Sequence, residues 1–327
     1  MDEKQSRTYN FAVIGVGGYV APKHLKAIKE TGNNLIAALD RNDSVGILDS
    51  FSYETAFFTE FERFDRHAEK LRRLPNNERI HYVSICSPNY LHDAHIRFAL
   101  RIGAHAICEK PLVLNPWNLE SLKELEQETG KNVFTVLQLR SHPAIKKLRM
   151  AIAERPIAQK HEIVLTYITS RGNWYFNSWK GVQEKSGGIT TNIGIHFFDM
   201  LIWIFGAVQS SALHLSNASK ASGHIELETA SVRWFLSVDR RDLPGSAVQK
   251  GVSTFRSITV DGDEIEFSGG FSDLHTMVYR EILEGKGYGV DDARPSIELV
   301  SNIRSSVIDR SKQVGFHPFL KQDLITE

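Results

Sequence analysis

The strongest constraint on the fold is a short apolar strand that runs directly into a glycine cluster and then into a helical segment. Residues 9–14 are the strand, 24–30 the helical segment, and 34–39 a second strand. Further apolar runs follow with helical patterns between them, the runs at 82–86, 105–108 and 133–137 and the helices at 92–101 and 119–128. Alternation of this kind predicts a doubly wound parallel sheet.

The pattern changes beyond residue 140, because strand candidates then follow one another with few helices between them. They lie at residues 161–170, 211–216, 225–238 and 257–267. Such a series predicts a large, mostly antiparallel sheet. A chain of 327 residues also exceeds the size at which one hydrophobic core usually keeps growing. We therefore predict an α/β chain with an N-terminal Rossmann domain, 1–140, and a C-terminal α+β domain, 141–327.

Composition narrows the partners and the compartment. Lys plus Arg (39) balances Asp plus Glu (39), so a nucleic acid or an acidic membrane is not expected as a partner, whereas a small molecule is. The two cysteines, Cys86 and Cys108, end apolar strand candidates, which is typical of a reduced cytosol. The first ten residues are polar, and the richest apolar stretch, 197–208, is interrupted by Asp199. We expect a cytoplasmic protein without a membrane span.

The glycine cluster predicts a nucleotide site. Gly15, Gly17 and Gly18 stand where the backbone must turn tightly and approach a pyrophosphate at the N-terminus of the next helix. The adjoining Tyr19 and Val20 belong to the predicted contact, although Val20 occupies the place of the motif's third glycine, a departure that Gly18 partly offsets. The alternative is a glycine turn with no ligand.

Asp40 predicts which dinucleotide binds. It closes the second strand, where a carboxylate accepts hydrogen bonds from the adenosine ribose and repels a 2′-phosphate. This favours NAD over NADP. The alternative is an ordinary Asp-Arg-Asn-Asp turn, and the neighbouring Arg41 leaves some use of NADP open.

A second cofactor segment follows the strand at 82–86. Ser87, Pro88, Asn89 and His92 lie at the same edge of the predicted sheet, so we expect them to hold the middle of the cofactor. The alternative is a helix N-cap with a proline turn.

Two motifs identify a family. A strand candidate ends in the tripeptide Glu-Lys-Pro at 109–111, and the second half carries Gly-Gly-x-x-x-Asn-x-x-x-His at 187–196. In this order, over nearly the whole chain, they resemble the glucose-fructose oxidoreductase, inositol dehydrogenase and rhizopine-catabolism family. The resemblance implies that Lys110 points at the substrate beside the nicotinamide, that Glu109 and Pro111 fix it there, and that His196 faces it.

Other segments are similar to a bacterial branch of that family, which oxidises the 3-hydroxyl of UDP-N-acetyl-2-amino-2-deoxy-D-glucuronate (UDP-GlcNAcA) in lipopolysaccharide O-antigen synthesis. These segments span residues 18–25, 109–117, 173–181 and 271–276. The resemblance implies a UDP-sugar acid as substrate, NAD as cofactor, and a homo-oligomer, dimer or tetramer, formed through the second-domain sheets. In that branch 2-oxoglutarate can reoxidise the NADH, and the sequence leaves this open here.

Charge favours Lys110 as the catalytic base. Oxidising an alcohol removes the hydroxyl proton as hydride leaves carbon, so a base must lie within hydrogen-bond reach of that oxygen. Asn192 stands where many family members have aspartate, and an amide can orient an imidazole without stabilising its charged form. His196 is therefore predicted to share or relay the proton, and whether Lys110 or His196 is the base stays open.

Substrate contacts are predicted in the segments that lead to His196. The cations and hydroxyls there are Arg171, Lys180, Lys185, Ser186 and Thr190, and arginine can grip a carboxylate or phosphate with two hydrogen bonds. Each could instead be an ordinary solvated residue.

Aromatic and amide side chains extend the predicted site. Trp174, Tyr175 and Trp179 either wall the sugar and nicotinamide site or form core. Family resemblance adds Trp179 and Gln138 as cofactor contacts. For His275 and Tyr279, which have helical i, i+4 spacing, the choice is between lining the cleft and packing.

Other chemistries find no residue support. His92 and His95 lack acids or thiols at ligand spacing, so no metal is expected. Neither Gly-x-Ser-x-Gly nor a Walker-type phosphate loop occurs. The alternatives are an NAD(P)-dependent dehydrogenase of a free sugar or inositol and a non-catalytic NAD(H) sensor, and the pairing of Lys110 with His196 argues against the sensor.

Overall fold

The computed structural model describes residues 8–154, 160–265, 273–311 and 315–323, the last range with side chains through 320. It divides into two compact units. The first takes the described residues of Met1–Val113, Trp117–Gln138 and Ser272–Ala293, and the second those of Leu114–Pro116, Leu139–Phe271 and Arg294–Glu327. The chain thus returns to the first unit near its end, a feature that a boundary at residue 140 does not include.

A parallel sheet forms the centre of the first unit. Its strands are β1 Asn10–Ile14, β2 Asn34–Leu39, β3 Ala56–Phe58, β4 Tyr82–Ile85, β5 His105–Cys108 and β6 Val133–Thr135. The helices between them are α1 Ala21–Glu30, α2 Phe61–Arg72, α3 His92–Arg101 and α4 Trp117–Thr129. The spatial order is β3-β2-β1-β4-β5-β6, and every neighbouring pair is parallel. This is the strand order of a dinucleotide-binding doubly wound fold, which confirms the predicted Rossmann domain.

Sequence reasoning missed β3 and α2. The three residues of β3 lie at the edge of the sheet and are only partly buried, so they give no alternating pattern. The α2 sequence is mostly charged, and only Phe64 and Ala68, one helical turn apart, are buried.

A mixed sheet forms the second unit. Its strands are β7 His161–Thr169, β8 Val208–Ser216, β9 Lys220–Leu227, β10 Ala230–Ser237, β11 Thr254–Val260 and β12 Asp263–Glu264, in the order β12-β11-β7-β10-β9-β8. Only β7 and β10 pair in parallel, so the prediction of a mostly antiparallel sheet is confirmed. The helices before and between the strands are α5 Pro143–Ala153, α6 Trp174–Asn177, α7 Gln183–Ser186, α8 Ile195–Phe205 and α9 Gly245–Gln249.

Two predicted strands were too long. The candidate at 225–238 is the end of β9 and all of β10, joined by a turn at Glu228 and Thr229. The candidate at 257–267 begins earlier, as β11, and turns at Asp261 and Gly262, which both have positive φ; residues 266 and 267 lie outside the described residues. The first turn contains neither glycine nor proline, so nothing in its composition marks it. The second contains Asp261-Gly262, a turn signal that the sequence interpretation overlooked.

The last helices are α10 Leu274–Leu283, α11 Val290–Ser305 and α12 Pro318–Asp323. Helix α10 belongs to the first unit, where Val278, Tyr279 and Ile282 join the apolar cluster that contains Phe11. Burying an aliphatic side chain of this size contributes about 1.5–3 kcal/mol. A segment remote in sequence therefore completes the core of the nucleotide-binding unit.

One helical run, Gln183–Phe205, has the length and composition of a membrane span, with a mean hydropathy of 1.3. Within it 72% of the apolar window is buried in the protein. Phe198 and Phe205 on α8 are fully buried, as in the core helix of a water-soluble protein.

A buried ion pair anchors α8 within the second unit. Arg140 donates from Nε to Asp199 Oδ2 at 2.9 Å and from Nη2 to Oδ1 at 2.7 Å. Both side chains are nearly inaccessible to solvent. Two parallel hydrogen bonds fix the orientation of the helix face that carries Asp199.

We predict that Arg140→Met lowers the free energy of unfolding by about 3–5 kcal/mol, because it leaves the Asp199 carboxylate buried without its partner. Urea denaturation measures this. The double variant Arg140→Met/Asp199→Leu should recover much of the loss, since it removes the unpaired charge as well. Equal losses in the single and double variants would contradict this account.

Candidate functional site

The glycine turn after β1 is set by close backbone approach. Gly15 has φ +86°, and a Cβ there would lie 2.7–2.8 Å from the Cys86 and Ser87 backbone. The Gly15 and Val16 N–H groups both donate to Leu39 O, at 2.8 and 3.2 Å, which ties the turn to the end of β2. A side chain at Gly15 would therefore push apart the strand ends where a dinucleotide pyrophosphate binds.

Asp40 lies directly beside this turn. Its Oδ2 accepts from the Gly17 N–H at 2.8 Å, and its Oδ1 accepts from the Asn42 N–H at 2.9 Å. A Cβ on Gly17 would approach Asp40 Oδ2 to 3.2 Å. The carboxylate thus stands at the end of β2, as a ribose-binding acid requires. The contact with Asn42 is also what an ordinary Asp-Arg-Asn-Asp turn would show. The structure is therefore consistent with both interpretations of Asp40, a ribose-binding acid and a turn residue.

The remaining glycine-loop residues differ in exposure. Gly18 closes a turn by donating to Gly15 O at 3.0 Å, and Val20 is half-buried before α1. The Tyr19 side chain is 91% exposed, so its ring is open to solvent.

His92 links the loops that follow β4 and β5. Its Nδ1 lies 2.7 Å from Pro111 O and its Nε2 lies 2.9 Å from Ser87 O. Burial lowers the pKa of His92, and hydrogen bonds to the two carbonyls oppose that effect. The imidazole therefore fixes two predicted cofactor loops to each other.

The nearby loop residues are also engaged. Ser87 Oγ lies 2.8 Å from His95 Nδ1, and Asn89 is buried in the turn that leads into α3. The alternative prediction for this segment is a helix N-cap. The N-cap residue of α3 is Leu91, whose side chain cannot form a capping hydrogen bond. Pro88 starts the turn.

Glu109 and Lys110 follow β5 at the same edge of the sheet. Glu109 Oε1 accepts from His24 Nε2 at 3.0 Å and from His275 Nε2 at 3.1 Å, and Oε2 accepts from the Lys110 N–H at 3.3 Å. Burial acts to raise the pKa of Glu109, but the hydrogen bonds from the two histidines outweigh it and hold the pKa well below its usual value. The carboxylate before Lys110 is therefore ionised, while Lys110 itself is half-buried.

His24 is the site residue that sequence reasoning missed. It lies 85 residues from Glu109 in sequence, on an otherwise ordinary amphipathic helix. His275 and Tyr279, for which packing or cleft lining was open, are buried in the first unit and belong to the same hydrogen-bonded group. No local pattern signals such a contact. Gln138, the other predicted residue of this unit, is half-buried at the start of a short 3-10 turn.

In the second unit, Lys180 lies against two aromatic rings and close to a second cation, Arg171. Lys180 Nζ is 4.4 Å from the centre of the Trp179 ring and 5.9 Å from that of Trp174. Burial and the positive charge of Arg171 lower the pKa of Lys180. Among the described residues, neither Lys180 nor Arg171 has a carboxylate within ion-pair distance. The arrangement can bind an anion.

A π-helical turn, Thr190–Gly194, carries the second motif and leads directly into α8. Asn192 Nδ2 donates to Tyr175 Oη at 3.2 Å, and His196 is half-buried in the first turn of α8. Thr190 is buried. π-Helical turns occur frequently at functional sites because they re-aim side chains within a helix.

Ser186 and Lys185 precede that turn. The Ser186 hydroxyl donates to Val182 O at 3.0 Å and accepts from the Gly188 N–H at 3.1 Å. These bonds close α7 before Gly187, whose φ is +79°. The hydroxyl predicted to contact substrate thus also shapes the loop, and Lys185 is exposed.

The parallel sheet, the glycine turn and the acid at the end of β2 define a dinucleotide-binding domain. Models of one oxidoreductase family match both units: its NAD-binding Rossmann fold matches residues 9–137, and its C-terminal alpha/beta domain matches residues 160–234. The chain belongs to this family, which is named after glucose-fructose oxidoreductase, inositol dehydrogenase and rhizopine catabolism. The predicted family and cofactor are confirmed.

Solved structures add a more specific likeness. The WlbA (WbpB) dehydrogenase from Thermus thermophilus, in complex with NAD and alpha-ketoglutarate, is 48% identical, with 95% of this chain and 100% of that chain covered and a TM-score of 0.91. The same dehydrogenase in complex with NAD and UDP-GlcNAcA is 47% identical with equal coverage and TM-score.

Curated relatives match over shorter lengths. An uncharacterized oxidoreductase of Synechocystis is 30% identical over 45% of this chain and 40% of its own length. The D-glucoside 3-dehydrogenase of Escherichia coli is 26% identical over 40% of this chain and 38% of its own length. The chain thus matches about two fifths of the length of these relatives.

We predict that Asp40→Ala weakens NAD binding about tenfold to a hundredfold, through the net loss of one charged hydrogen bond worth about 1.5–3 kcal/mol. NADP binding should strengthen, because the charge that repels a 2′-phosphate is gone. Calorimetric titration with each cofactor measures both changes. Asp43→Ala, which removes a neighbouring acid, is the control and should change neither strongly; equal losses for NAD and NADP in Asp40→Ala would refute the ribose role.

His95 should make the stability of the fold depend on pH. Burial against the Phe61 ring lowers the pKa of His95 from 6.5 to about 4. At a pH between about 4 and 6.5 the His95 imidazole is protonated in the unfolded chain and neutral in the folded chain. Protonation therefore favours unfolding: the free energy of unfolding does not change with this group above about pH 6.5 and decreases as the pH drops toward 4. We expect about 2 kcal/mol of this loss by pH 5. Urea denaturation at pH 7 and pH 5 should show a smaller loss in His95→Asn than in the native chain; an unchanged loss would contradict the assignment.

Proposed function

We propose that this protein oxidises the 3-hydroxyl of UDP-GlcNAcA to the 3-keto sugar, with NAD as hydride acceptor, in lipopolysaccharide O-antigen synthesis. The observation that carries the proposal is the 47% identity, over the full length of the Thermus chain, to a dehydrogenase solved with NAD and this UDP-sugar. The motifs in the two units, Lys110 in one and His196 in the other, support the same reaction class.

The base is Lys110. Bound NAD supplies the carbon that accepts hydride, and this chain must supply an acceptor for the hydroxyl proton. Lys110 follows β5 at the carboxyl edge of the parallel sheet, where ligands bind in folds of this type. Its backbone is held by Glu109. His196 shares the proton. The amide of Asn192 carries no charge, so it can orient the His196 ring but does not stabilise the charged imidazolium.

The second unit has groups that suit an anionic substrate. Arg171 and Lys180 supply two adjacent positive charges for the uronate carboxylate or the pyrophosphate. The faces of Trp174 and Trp179 offer flat apolar surface for the sugar or nicotinamide. The half-buried Asn192 and the buried Thr190, with Ser186, add hydrogen-bonding groups.

A second anion, 2-oxoglutarate, regenerates the cofactor under this proposal. The Thermus dehydrogenase was solved with NAD and alpha-ketoglutarate. Hydride returns from NADH to the keto carbon, a proton reaches the new hydroxyl from the protonated base, and the product is a 2-hydroxy acid. The same cation pair would bind this dicarboxylate.

We also propose a cytoplasmic homo-oligomer, dimer or tetramer, assembled through the sheet of the second unit. The support is family resemblance, together with the breadth of that six-stranded sheet. Light scattering of the purified chain gives its mass.

The second candidate is a dehydrogenase of a free sugar or inositol. The match to D-glucoside 3-dehydrogenase, whose substrate carries no nucleotide, favours it. The cation pair argues for the nucleotide sugar acid instead, because a neutral polyol has no anion for it to bind.

Absorbance at 340 nm separates these candidates. Purified protein with NAD should show a rise when UDP-GlcNAcA is added and a fall when 2-oxoglutarate follows. A response to an unphosphorylated polyol and none to UDP-GlcNAcA would assign the free-sugar reaction.

We predict that Lys110→Met lowers kcat about 10²–10⁴-fold, the usual contribution of a general base. NAD affinity should stay nearly unchanged, because the glycine turn and Asp40 are untouched. Stopped-flow absorbance and cofactor titration measure the two effects. Lys70→Met, at an exposed position on α2, is the control and should behave as the native chain. Full turnover in Lys110→Met would remove lysine from the mechanism.

A further inference from the structure

A buried chain of hydrogen bonds lies behind Lys110. Ser84 Oγ is 2.6 Å from Tyr279 Oη, and Tyr279 Oη is 2.7 Å from His24 Nδ1. His24 Nε2 and His275 Nε2 then meet Glu109 Oε1 at 3.0 and 3.1 Å. All of these side chains are buried. The chain of contacts ends on the Lys110 N–H.

The proton positions in this hydrogen-bond network follow from the Glu109 carboxylate, which can only accept. An ionised carboxylate can only accept, so both histidines donate to Glu109 from Nε2. A neutral His24 then accepts at Nδ1 from the Tyr279 hydroxyl, whose oxygen can in turn accept from Ser84. Every contact is satisfied with both imidazoles neutral. The arrangement needs no further ligand to be complete.

We propose that His24, His275 and Tyr279 are positioning residues for Lys110, which keep Glu109 ionised so that its second oxygen holds the Lys110 backbone in place. This inference rests on the proposed function, in which Lys110 is the base. The three residues act only through Glu109, and none of them is assigned a contact with substrate.

The physical reason is the cost of a buried carboxylate. Without donors, burial favours the neutral acid, which is a poor acceptor and can donate its own proton. Two imidazole N–H groups reverse this preference, and the low pKa of Glu109 agrees with that balance. Loss of one donor would raise the pKa of Glu109 toward neutrality and release the Lys110 N–H.

The two histidines that donate to Glu109 come from helices that are far apart in sequence. His24 comes from α1 and His275 from α10, which is 166 residues from Glu109 along the chain. Helix α10 is tied to α1 by Thr276 Oγ1 to Glu30 Oε2 at 2.8 Å, beside its apolar core contacts. The base is thus supported by a helix that the chain adds to the first unit only near its end.

A divalent metal is the competing explanation. The ligand atoms of His24, Glu109 and His275 lie within 4.8 Å of one another, close enough to share an ion. The hydrogen-bond directions are already consistent without one, which favours the positioning role. The test must separate the two.

The charged and titratable groups around Glu109 matter for a pH experiment. They come from α1, β4 and its loop, α3, β5 and α10, and comprise Lys23, His24, Cys86, His92, Cys108, Lys110, His275 and Tyr279. Burial raises the pKa of both thiols and of Tyr279, so none of these three titrates near neutral pH. A new ionisation near neutrality in a variant is then assigned to Glu109 by adding Glu109→Gln, which must abolish it.

The experiment compares His275→Leu, which removes the donor, with His275→Gln, which retains one. In His275→Leu we expect kcat to fall about tenfold to a hundredfold at pH 7, because the base is misplaced, and to recover as the pH rises and Glu109 ionises. His275→Gln should follow the native pH profile. Tyr279→Phe, which keeps the ring and removes only the hydroxyl, should show the same trend more weakly and serves if His275→Leu does not fold.

Two further readouts need no substrate. Amide hydrogen exchange at Lys110 should accelerate in His275→Leu and not in His275→Gln, while the NAD dissociation constant stays within about threefold. If UDP-GlcNAcA is not oxidised by the native chain, the proposed function fails and the exchange result still decides the positioning role.

Three results would overturn the inference. One is equal exchange at Lys110 in all variants. Another is a loss of kcat in His275→Leu that does not depend on pH and is not rescued by His275→Gln. The third is stoichiometric metal in the purified native protein, measured by elemental analysis, whose removal by a chelator abolishes activity.

Discussion

The direction of the strands in the first sheet is the constraint on which the site depends. Because all six strands run the same way, the loops after β1, β2, β4 and β5 meet at one edge. The glycine turn, Asp40, the Ser87 loop and the Lys110 loop are therefore neighbours without being close in sequence. Backbone contacts enforce this, since Gly15 leaves no room for a side chain against the Cys86 and Ser87 backbone.

Local patterns made the first unit and its cofactor predictable. A strand, a glycine turn and a helix are consecutive in sequence, so their geometry can be inferred before any tertiary contact is known. Asp40 follows from the same rule, because the end of β2 can be located from its apolar run. The Lys110 and His196 motifs came from family resemblance rather than from spacing, and their roles remain proposals.

Long-range contacts could not be predicted, nor could a turn that contains neither glycine nor proline. The turn at Glu228 divides a run that composition alone presents as one strand. The partners of Glu109 come from α1 and α10, and the i, i+4 spacing of His275 and Tyr279 fits a packed face as well as a cleft. Which interpretation holds depends on where α10 docks, and that is decided by apolar burial of Val278 and Ile282 rather than by the polar residues themselves.

Electrostatics around the amide at position 192 support the substrate class that we propose. Arg171 and Lys180 already lie close enough for one to lower the pKa of the other, and Tyr175 adds only a hydroxyl, bonded to Asn192. An aspartate at 192 would introduce a negative charge beside Tyr175 and would compete with any bound anion. The amide keeps the hydrogen bond and leaves the positive field intact. A neutral sugar gains nothing from that field, whereas a sugar acid or a dicarboxylate does, so the substitution and the cation pair point to the same substrate chemistry.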